Sequence, residues 1–181
     1  MEASSERPPF VATPSEADTI MEIEMHDPHS FIRLAKASVA ALERGPTPED
    51  LAEAPLADLW AVLVKGEDDL PALWAQVSGH PLLGDCQVMT SALVGLNRDA
   101  GWARTISRWY RLGTPFPRAV ITLASSGHDP KRRTGYLPLW SSGYLALVDE
   151  ALLEAKIARL LALLKNLDAH MESGATARRL Q

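Results

Sequence analysis

The spacing of apolar residues predicts two helical segments in the first third of the chain. Asp27-Pro28 is typical of a helix start, and an apolar stripe at helical spacing follows it as far as Gly45-Pro46. Thr47-Pro48 repeats the same start, and Pro55 is expected to split the second segment into two short helices. These features predict a helical hairpin over 27–66. The two stripes consist of Phe31, Leu34, Ala35, Val39 and Leu42, and of Leu56, Leu59, Trp60, Leu63 and Val64.

The period then changes from helical to alternating, which predicts β-strands over 72–112. Apolar and polar residues alternate over 73–78 and again over 88–94. The loop 97–101 has the length and the turn residues of a hairpin connection, so 102–112 is predicted to be the third strand of a meander.

The third of these segments, WARTISRWYRL over 102–112, fits two conformations. In a single strand, alternate residues point to opposite sides, so Arg104 and Arg108 share a side. In a helix, the aromatic rings share one face and the three arginines share the other. The β-rich composition and the hairpin spacing favour the strand, in which Arg104 and Arg108 can stack on neighbouring rings.

The last long apolar pattern predicts a helix over 142–172 that carries a leucine-rich seam. The seam has the 4, 3, 4, 3, 4 spacing of a heptad repeat. Two interpretations remain open, because the seam can pack against the chain's own helical hairpin or against a second copy in a homodimer. The seam residues are Leu153, Ile157, Leu160, Leu164, Leu167 and Met171.

Length and composition fit one folded domain with less ordered ends. The chain has 181 residues, of which 46% are hydrophobic and 23% charged. Residues 1–26 are expected to form a flexible acidic arm, 27–172 a single domain and 173–181 a disordered tail. The predicted fold class is α+β, with a small antiparallel three-stranded meander packed on a helical hairpin and a long C-terminal helix.

The charge is distributed unevenly along the chain. Residues 1–70 carry 15 acidic and 5 basic side chains, whereas 98–140 carry 8 basic and 2 acidic ones, in a chain of net charge −5. This excludes a uniformly basic nucleic-acid binder but not a locally basic contact surface. The residues predicted to form that surface are Trp102, Arg104, Arg108, Trp109, Tyr110, Arg111, Lys131, Arg132 and Arg133.

The chain contains none of the common catalytic or nucleotide-binding motifs. G-x-x-x-x-G-K-[ST], G-x-G-x-x-G, H-E-x-x-H, C-x-x-C and G-x-S-x-G are all absent. No catalytic residue, metal ligand or cofactor is therefore predicted. The single cysteine, Cys86, cannot form an internal disulfide, and neither a secretory signal nor a membrane-spanning apolar run is present, so a cytoplasmic location is expected.

Three short patterns carry a resemblance to a known family. Gly79-His80-Pro81, Thr90-Ser91 and ARTISRWYRLG over 103–113 resemble a family of small uncharacterised proteins of proteobacteria, in which GHP, TS and RT-x-SR-x-YRLG recur. The resemblance covers about a quarter of the chain and implies a shared small β unit. It implies no activity, ligand or partner.

Three functions fit these observations. The leading hypothesis is a non-enzymatic protein-interaction or regulatory protein, which contacts an unknown protein partner through the Arg/Trp-rich meander and the leucine-rich C-terminal helix. The alternatives are a nucleic-acid-binding accessory protein that uses the basic region 98–133, and a small enzyme without a recognisable motif. No membrane partner is expected.

Overall fold

The computed structural model describes residues 28–66, 70–117, 136–139 and 144–167. The helices in these ranges are α1 (Pro28–Arg44), α2 (Pro48–Glu53) and α3 (Glu150–Lys165). The strands are β1 (Leu56–Val64), β2 (Ala72–His80), β3 (Gly84–Asn97), β4 (Trp102–Thr105), β5 (Trp109–Leu112), β6 (Tyr136–Leu139) and β7 (Tyr144–Leu147).

Strands β1 to β5 close into a five-stranded barrel. Each strand pairs antiparallel with the next one along the chain, and β5 closes the barrel by pairing parallel with β1. β7 pairs with the C-terminal half of β1 and with β6, so the sheet extends beyond the barrel to seven strands. The α+β class is confirmed, but the predicted three-stranded meander is wrong, because strands on both sides of it complete a closed sheet.

The second predicted helix is a strand from residue 56 onwards. α2 has only six residues, and its capping box uses the Thr47 hydroxyl, which accepts the Asp50 N–H at 3.1 Å. In β1, all residues over 61–64 are buried, because apolar clusters cover both faces of the strand. A strand buried on both faces has a continuous apolar run, and such a run also contains apolar residues at helical spacing.

Residues 102–112 form β-structure, as the hairpin spacing predicted, but they form two strands. The two-residue turn Ile106-Ser107 separates β4 from β5, and the Thr105 N–H donates to the Arg108 carbonyl at 3.0 Å. Arg104 therefore lies in β4 and Arg108 lies across the turn, directly before β5, so the single-strand alternation predicted for them is wrong.

Helices α1 and α3 pack together over the outer face of the barrel at β3 and β4. Leu42 of α1 contacts Gly95 of β3 so closely that a Cβ atom at position 95 would overlap the leucine side chain. The apolar cluster between the helices and the sheet is separate from the barrel core. Its buried members are Ala35, Val39, Val94, Ile106, Leu160 and Leu164.

The C-terminal helix begins later than predicted, at Glu150 instead of residue 142. The Asp149 carboxylate accepts the Leu152 N–H at 2.9 Å and caps the helix, while 144–147 form β7. The described seam residues pack on the chain's own sheet and on α1, with Leu153, Leu160 and Leu164 buried. Intramolecular packing therefore accounts for the described part of the seam, and association of two copies stays a prediction.

Some predicted features lie outside the described residues. These are the arm 1–26, the basic residues 131–133, Met171 of the seam and the tail 173–181. Within the described part of the chain, no helix is long and apolar enough to cross a membrane.

Candidate functional site

The predicted contact residues on β4 and β5 lie on two different faces of the barrel. Trp102, Arg104 and Trp109 share the outer face, where the two tryptophan rings meet edge to face with centroids 5.2 Å apart. The Arg104 guanidinium lies 5.3 Å from the centre of the Trp109 ring. Arg104 is only 7% exposed and its Nε has no hydrogen-bond partner, so this stacked arginine is covered by its own fold.

Arg111 is the exposed arginine of β5, and it also has a structural contact. Its Nε–H donates to the carbonyl of Ala54 at 3.0 Å, and its backbone N–H donates to the carbonyl of Pro55 at 3.0 Å. These bonds hold the chain where α2 passes into β1, because they bind both residues of that connection to β5.

Arg108 faces the end of the barrel together with His80. Leu56 of β1 pairs with Arg111 on one side and with Ser78 on the other. Arg108 lies three residues before Arg111, and His80 lies two residues after Ser78 on an antiparallel strand. Both positions are therefore displaced towards the N-terminal end of β1, and the strand registers bring them to the same end of the barrel.

Tyr110 completes this group, which is named the barrel mouth and consists of His80, Arg108 and Tyr110. Tyr110 belongs to the barrel core, and Arg108, which directly precedes β5 and pairs with Thr105, lies two residues away on the same side of the chain. Burial raises the pKa of the Tyr110 phenol, while the charge of Arg108 opposes this rise. Tyr110 consequently keeps its proton at neutral pH.

His80 is held in one tautomer by its own turn. Its Nδ1 accepts the backbone N–H groups of Leu82 and Leu83, at 3.2 and 3.1 Å. The proton of the neutral ring must therefore lie on Nε2. Burial lowers the pKa of His80, and the positive charge of Arg108 lowers it further, so the ring is neutral at pH 7.

The hydroxyl groups of the TS and T-x-S patterns join β3 to β2 and to the β4–β5 turn. The Thr90 hydroxyl accepts the Leu73 N–H at 3.0 Å, at an irregularity in the β2–β3 ladder. The Ser107 hydroxyl lies 3.1 Å from that of Ser91 and 3.2 Å from that of Thr105. These groups bind one another and the backbone, so their arrangement is explained by the fold.

A second candidate site is a cleft of about 440 Å³ at the edge of β1, named the β1-edge cleft. β1 pairs on this edge first with β5 and the segment 113–116, and later with β7. The two partners diverge between Trp60 and Leu63. The cleft occupies this gap, because Ala61 and Val62, which belong to the apolar clusters on opposite faces of β1, both line it.

A β-bulge shapes the floor of the cleft. The pairing register of β1 with β2 shifts between Asp58 and Ala61, and Leu59 within the bulge has a φ of +46°. A leucine in this left-handed region is strained by about 1–3 kcal/mol and persists only where the surrounding structure holds it. Bulges of this kind redirect side chains, here Trp60 into the cleft.

Hydrogen bonds between the bulge and the segment 113–116 hold this conformation. The Asp58 carboxylate accepts the Thr114 N–H at 2.7 Å, and the Trp60 indole N–H donates to the Gly113 carbonyl at 3.1 Å. The Phe116 N–H donates to the Trp60 carbonyl at 2.7 Å. A Cβ atom at Gly113 would lie 2.8 Å from Oδ1 of Asp58, so glycine is required for this close approach.

The rim of the cleft carries one cation and one anion. The Arg98 guanidinium lies 5.2 Å from the centre of the Trp60 ring, and its Nε lies 3.5 Å from Oε1 of Glu150. Both charged side chains are exposed, and an exposed ion pair of this length contributes little to stability. The Phe116 ring is fixed edge to face against Trp74, with centroids 5.4 Å apart. The cleft thus has rigid aromatic walls and an adaptable charged rim.

Sequence reasoning missed the cleft because its residues come from distant parts of the chain. The apolar spacing predicts Trp60 in a helix, Arg98 lies in a turn, and Phe116 lies in a segment without a motif that pairs with β1. The signal that could have found the floor is the apolar run over 61–64, which is typical of a strand buried on both faces. Among the described residues, no three His, Cys, Asp or Glu side chains are placed to hold a metal ion.

Comparison with known proteins identifies a family for the chain. A family model described as a family of unknown function (DUF6634) matches residues 21–179. No curated protein and no solved structure matches the chain. The predicted resemblance to a family without known function is confirmed at that level, whereas the GHP, TS and RT-x-SR-x-YRLG patterns and the bacterial origin stay predictions.

Proposed function

The chain belongs to this family of unknown function, and we propose that it is a non-enzymatic interaction protein whose β1-edge cleft binds a bulky apolar side chain of a partner protein. One observation carries the proposal: a strained bulge and three hydrogen bonds hold Trp60 and Phe116 in the walls of the cleft. Backbone strain that the surrounding structure maintains is concentrated at binding sites.

The size of the cleft suits a single anchoring side chain. Its volume of about 440 Å³ falls within the roughly 300–1,000 Å³ of cavities that take small ligands. Interface energy is concentrated where an aromatic or aliphatic anchor fills such a pocket beside tryptophan and arginine. The edge of β1 is open only between Trp60 and Leu63, which is too short for a partner strand to pair with it.

The charged side chains at the rim indicate which residue of the partner lies next to the apolar side chain in the cleft. Arg98 is exposed and meets Glu150 only at 3.5 Å, so a carboxylate of the partner can form a closer, bidentate pair with the guanidinium. The proposed partner segment therefore carries a bulky apolar residue next to Asp or Glu.

The experiment is a selection of peptides from a random display library on the immobilised full chain, followed by calorimetry of the selected peptides. We expect sequences with a bulky apolar residue next to an acidic one. Ala61→Phe fills the cleft and should abolish binding. Arg98→Glu should weaken binding by about tenfold or more, because it reverses the charge at the rim. Arg98 is exposed and lies outside the apolar core, so the variant should fold.

Matched controls are Ala151→Phe and Arg159→Glu, which make the same substitutions at exposed positions of α3. Circular dichroism checks that each variant folds. If Ala61→Phe does not fold, Arg98→Glu still tests the proposal. The proposal fails if no sequence is enriched, or if the selected peptides bind both cleft variants as tightly as wild type.

The nucleic-acid alternative has less support from the described residues. Arg104 is buried against Trp109, and Arg108 faces the barrel mouth with Tyr110, so these two arginines do not form a shared outer surface with Arg111. The contribution of residues 131–133 lies outside the described part of the chain. Nucleic-acid binding and enzymatic activity stay predictions from the sequence.

A further inference from the structure

We propose that the barrel mouth binds an oxyanion, the phosphate or carboxylate group of a small ligand, through Arg108, His80 and Tyr110. This site is separate from the β1-edge cleft. The mouth lies beyond Leu56 towards the N-terminal end of β1, whereas the cleft is lined by 60–62, further along the strand in the opposite direction.

Each group of the mouth offers a hydrogen-bond donor. The Arg108 guanidinium has only donors. His80 uses Nδ1 as an acceptor for Leu82 and Leu83, which leaves Nε2–H as a donor. Tyr110 keeps its hydroxyl proton because the phenol is buried. Three donors and one positive charge at one end of the barrel are complementary to an oxyanion, which supplies only acceptors.

These donors have no partner in the described part of the chain. No ion pair or hydrogen bond involves the guanidinium of Arg108, Nε2 of His80 or the hydroxyl of Tyr110. Tyr110 is only 3% exposed and His80 only 8%. Neither the Tyr110 hydroxyl nor Nε2 of His80 is among the fully enclosed, unpaired polar atoms of the described core.

The carboxylate nearest to His80 along the chain does not neutralise Arg108. Asp85 is exposed, and its Oδ1 accepts the Gly79 N–H at 2.9 Å. Asp85 forms no ion pair with Arg108 or His80, and the pKa of His80 responds to Arg108 alone among the charged groups. The half-buried guanidinium of Arg108 therefore has no ion-pair partner among the described residues.

The experiment follows the His80 imidazole by NMR while inorganic phosphate or acetate is added to the full chain at constant ionic strength, with chloride as the balancing anion. We expect a saturable shift of the His80 resonances and a rise in the pKa of His80, because a bound anion offsets the charge of Arg108. The phosphate and acetate arms distinguish the two ligand groups.

Variants assign the effect to the mouth. Arg108→Gln should weaken binding by about tenfold or more and raise the pKa of His80 in the absence of ligand, because it removes the nearby positive charge. Tyr110→Phe removes one donor while the ring stays in the core, and should weaken binding by several-fold. Arg111→Gln, which changes an exposed arginine three residues further along the chain, is the matched control and should bind as wild type does.

A purely structural role of Arg108 gives a different result. In that case Arg108→Gln lowers the melting temperature, but phosphate raises the melting temperature of wild type and variant equally. The proposal is overturned by that result, by anion-induced shifts that do not saturate, or by equal affinity of wild type and Arg108→Gln. An unchanged affinity of peptides for the β1-edge cleft in Arg108→Gln separates this test from that of the proposed function.

Discussion

At the scale of single residues, the strained part of β1 depends on contacts that a side chain makes with the backbone. Leu59 keeps its positive φ because Asp58 and Trp60 on either side of it bind the segment 113–116. Gly113 permits this approach, since its hydrogen occupies the place where a methyl group would overlap Asp58. The geometry of the cleft therefore depends on one carboxylate, one indole and one glycine.

The carboxylate of Asp58 is expected to make stability depend on pH. The backbone N–H groups of Thr114 and then Leu59 lower the pKa of Asp58 in the folded chain. A lowered folded-state pKa stabilises the folded chain above the unfolded value of about 4, and this contribution disappears as the pH falls through the folded value. The difference in unfolding free energy between wild type and Asp58→Asn should therefore shrink as the pH falls from about 5 to 2.

Urea denaturation at a series of pH values measures this difference. Asp99→Asn changes an exposed carboxylate in the turn between β3 and β4 and serves as the control. Parallel pH profiles for wild type and Asp58→Asn would contradict the assigned role of the carboxylate.

At the scale of elements, helix α1 docks on the sheet at a glycine of β3. Gly95 lies in β3 directly under Leu42 of α1, and the neighbouring residue Val94 joins the cluster that the helices cover. The absence of a side chain at position 95 lets the helix approach the strand closely. This contact positions α1, and the salt bridge between Arg44 and Asp50 at 2.6 Å then links the end of α1 to α2.

A double-mutant cycle tests the docking of α1 on β3. Gly95→Val should lower the free energy of unfolding by about 1–3 kcal/mol, because the added side chain overlaps Leu42. In a Leu42→Ala background the same substitution should cost about 1 kcal/mol less, since space is then available. Chemical denaturation of the four proteins measures both costs. Equal costs in the two backgrounds would show that the contact does not set the position of the helix.

At the scale of the whole molecule, the closed barrel and the α1–α3 layer form two apolar clusters to which β3 contributes residues on both sides. Leu93 faces the barrel core, whereas Val94 faces the helices. The seam of α3 joins both clusters, because Leu153 packs with the barrel core and Leu160 packs with α1. Folding of the helix and of the sheet is therefore expected to be cooperative.

The role of the seam is tested by glutamate at two neighbouring positions of α3. Leu160 is buried, so Leu160→Glu should lower the free energy of unfolding by about 3 kcal/mol or more. Leu163 is 48% exposed, so Leu163→Glu should change it by less than about 0.5 kcal/mol. Chemical denaturation measures both values. A folded Leu160→Glu variant with half the wild-type mass in light scattering would instead support the predicted homodimer.

Short-range sequence preferences determined several local features of this protein. The helix start at Pro28, the capping box at Thr47 and the turn before Trp102 follow from short-range backbone preferences, which act within a few residues. Sequence reasoning found these features because the interacting groups are close along the chain. The stacking of Arg104 on Trp109 was not among them, because it needs the hairpin turn at 106–107, and a single strand over 102–112 places the two residues on opposite sides.

Tertiary contacts decided the rest. Residues 56–64 are a strand because apolar surfaces from both sides bury it, and Arg108 faces the barrel mouth because a turn at 106–107 separates it from Arg104. Both candidate sites join side chains that are distant in sequence, such as Trp60 with Arg98 and His80 with Arg108. The strand registers bring these groups together, and no local propensity encodes which strands become neighbours.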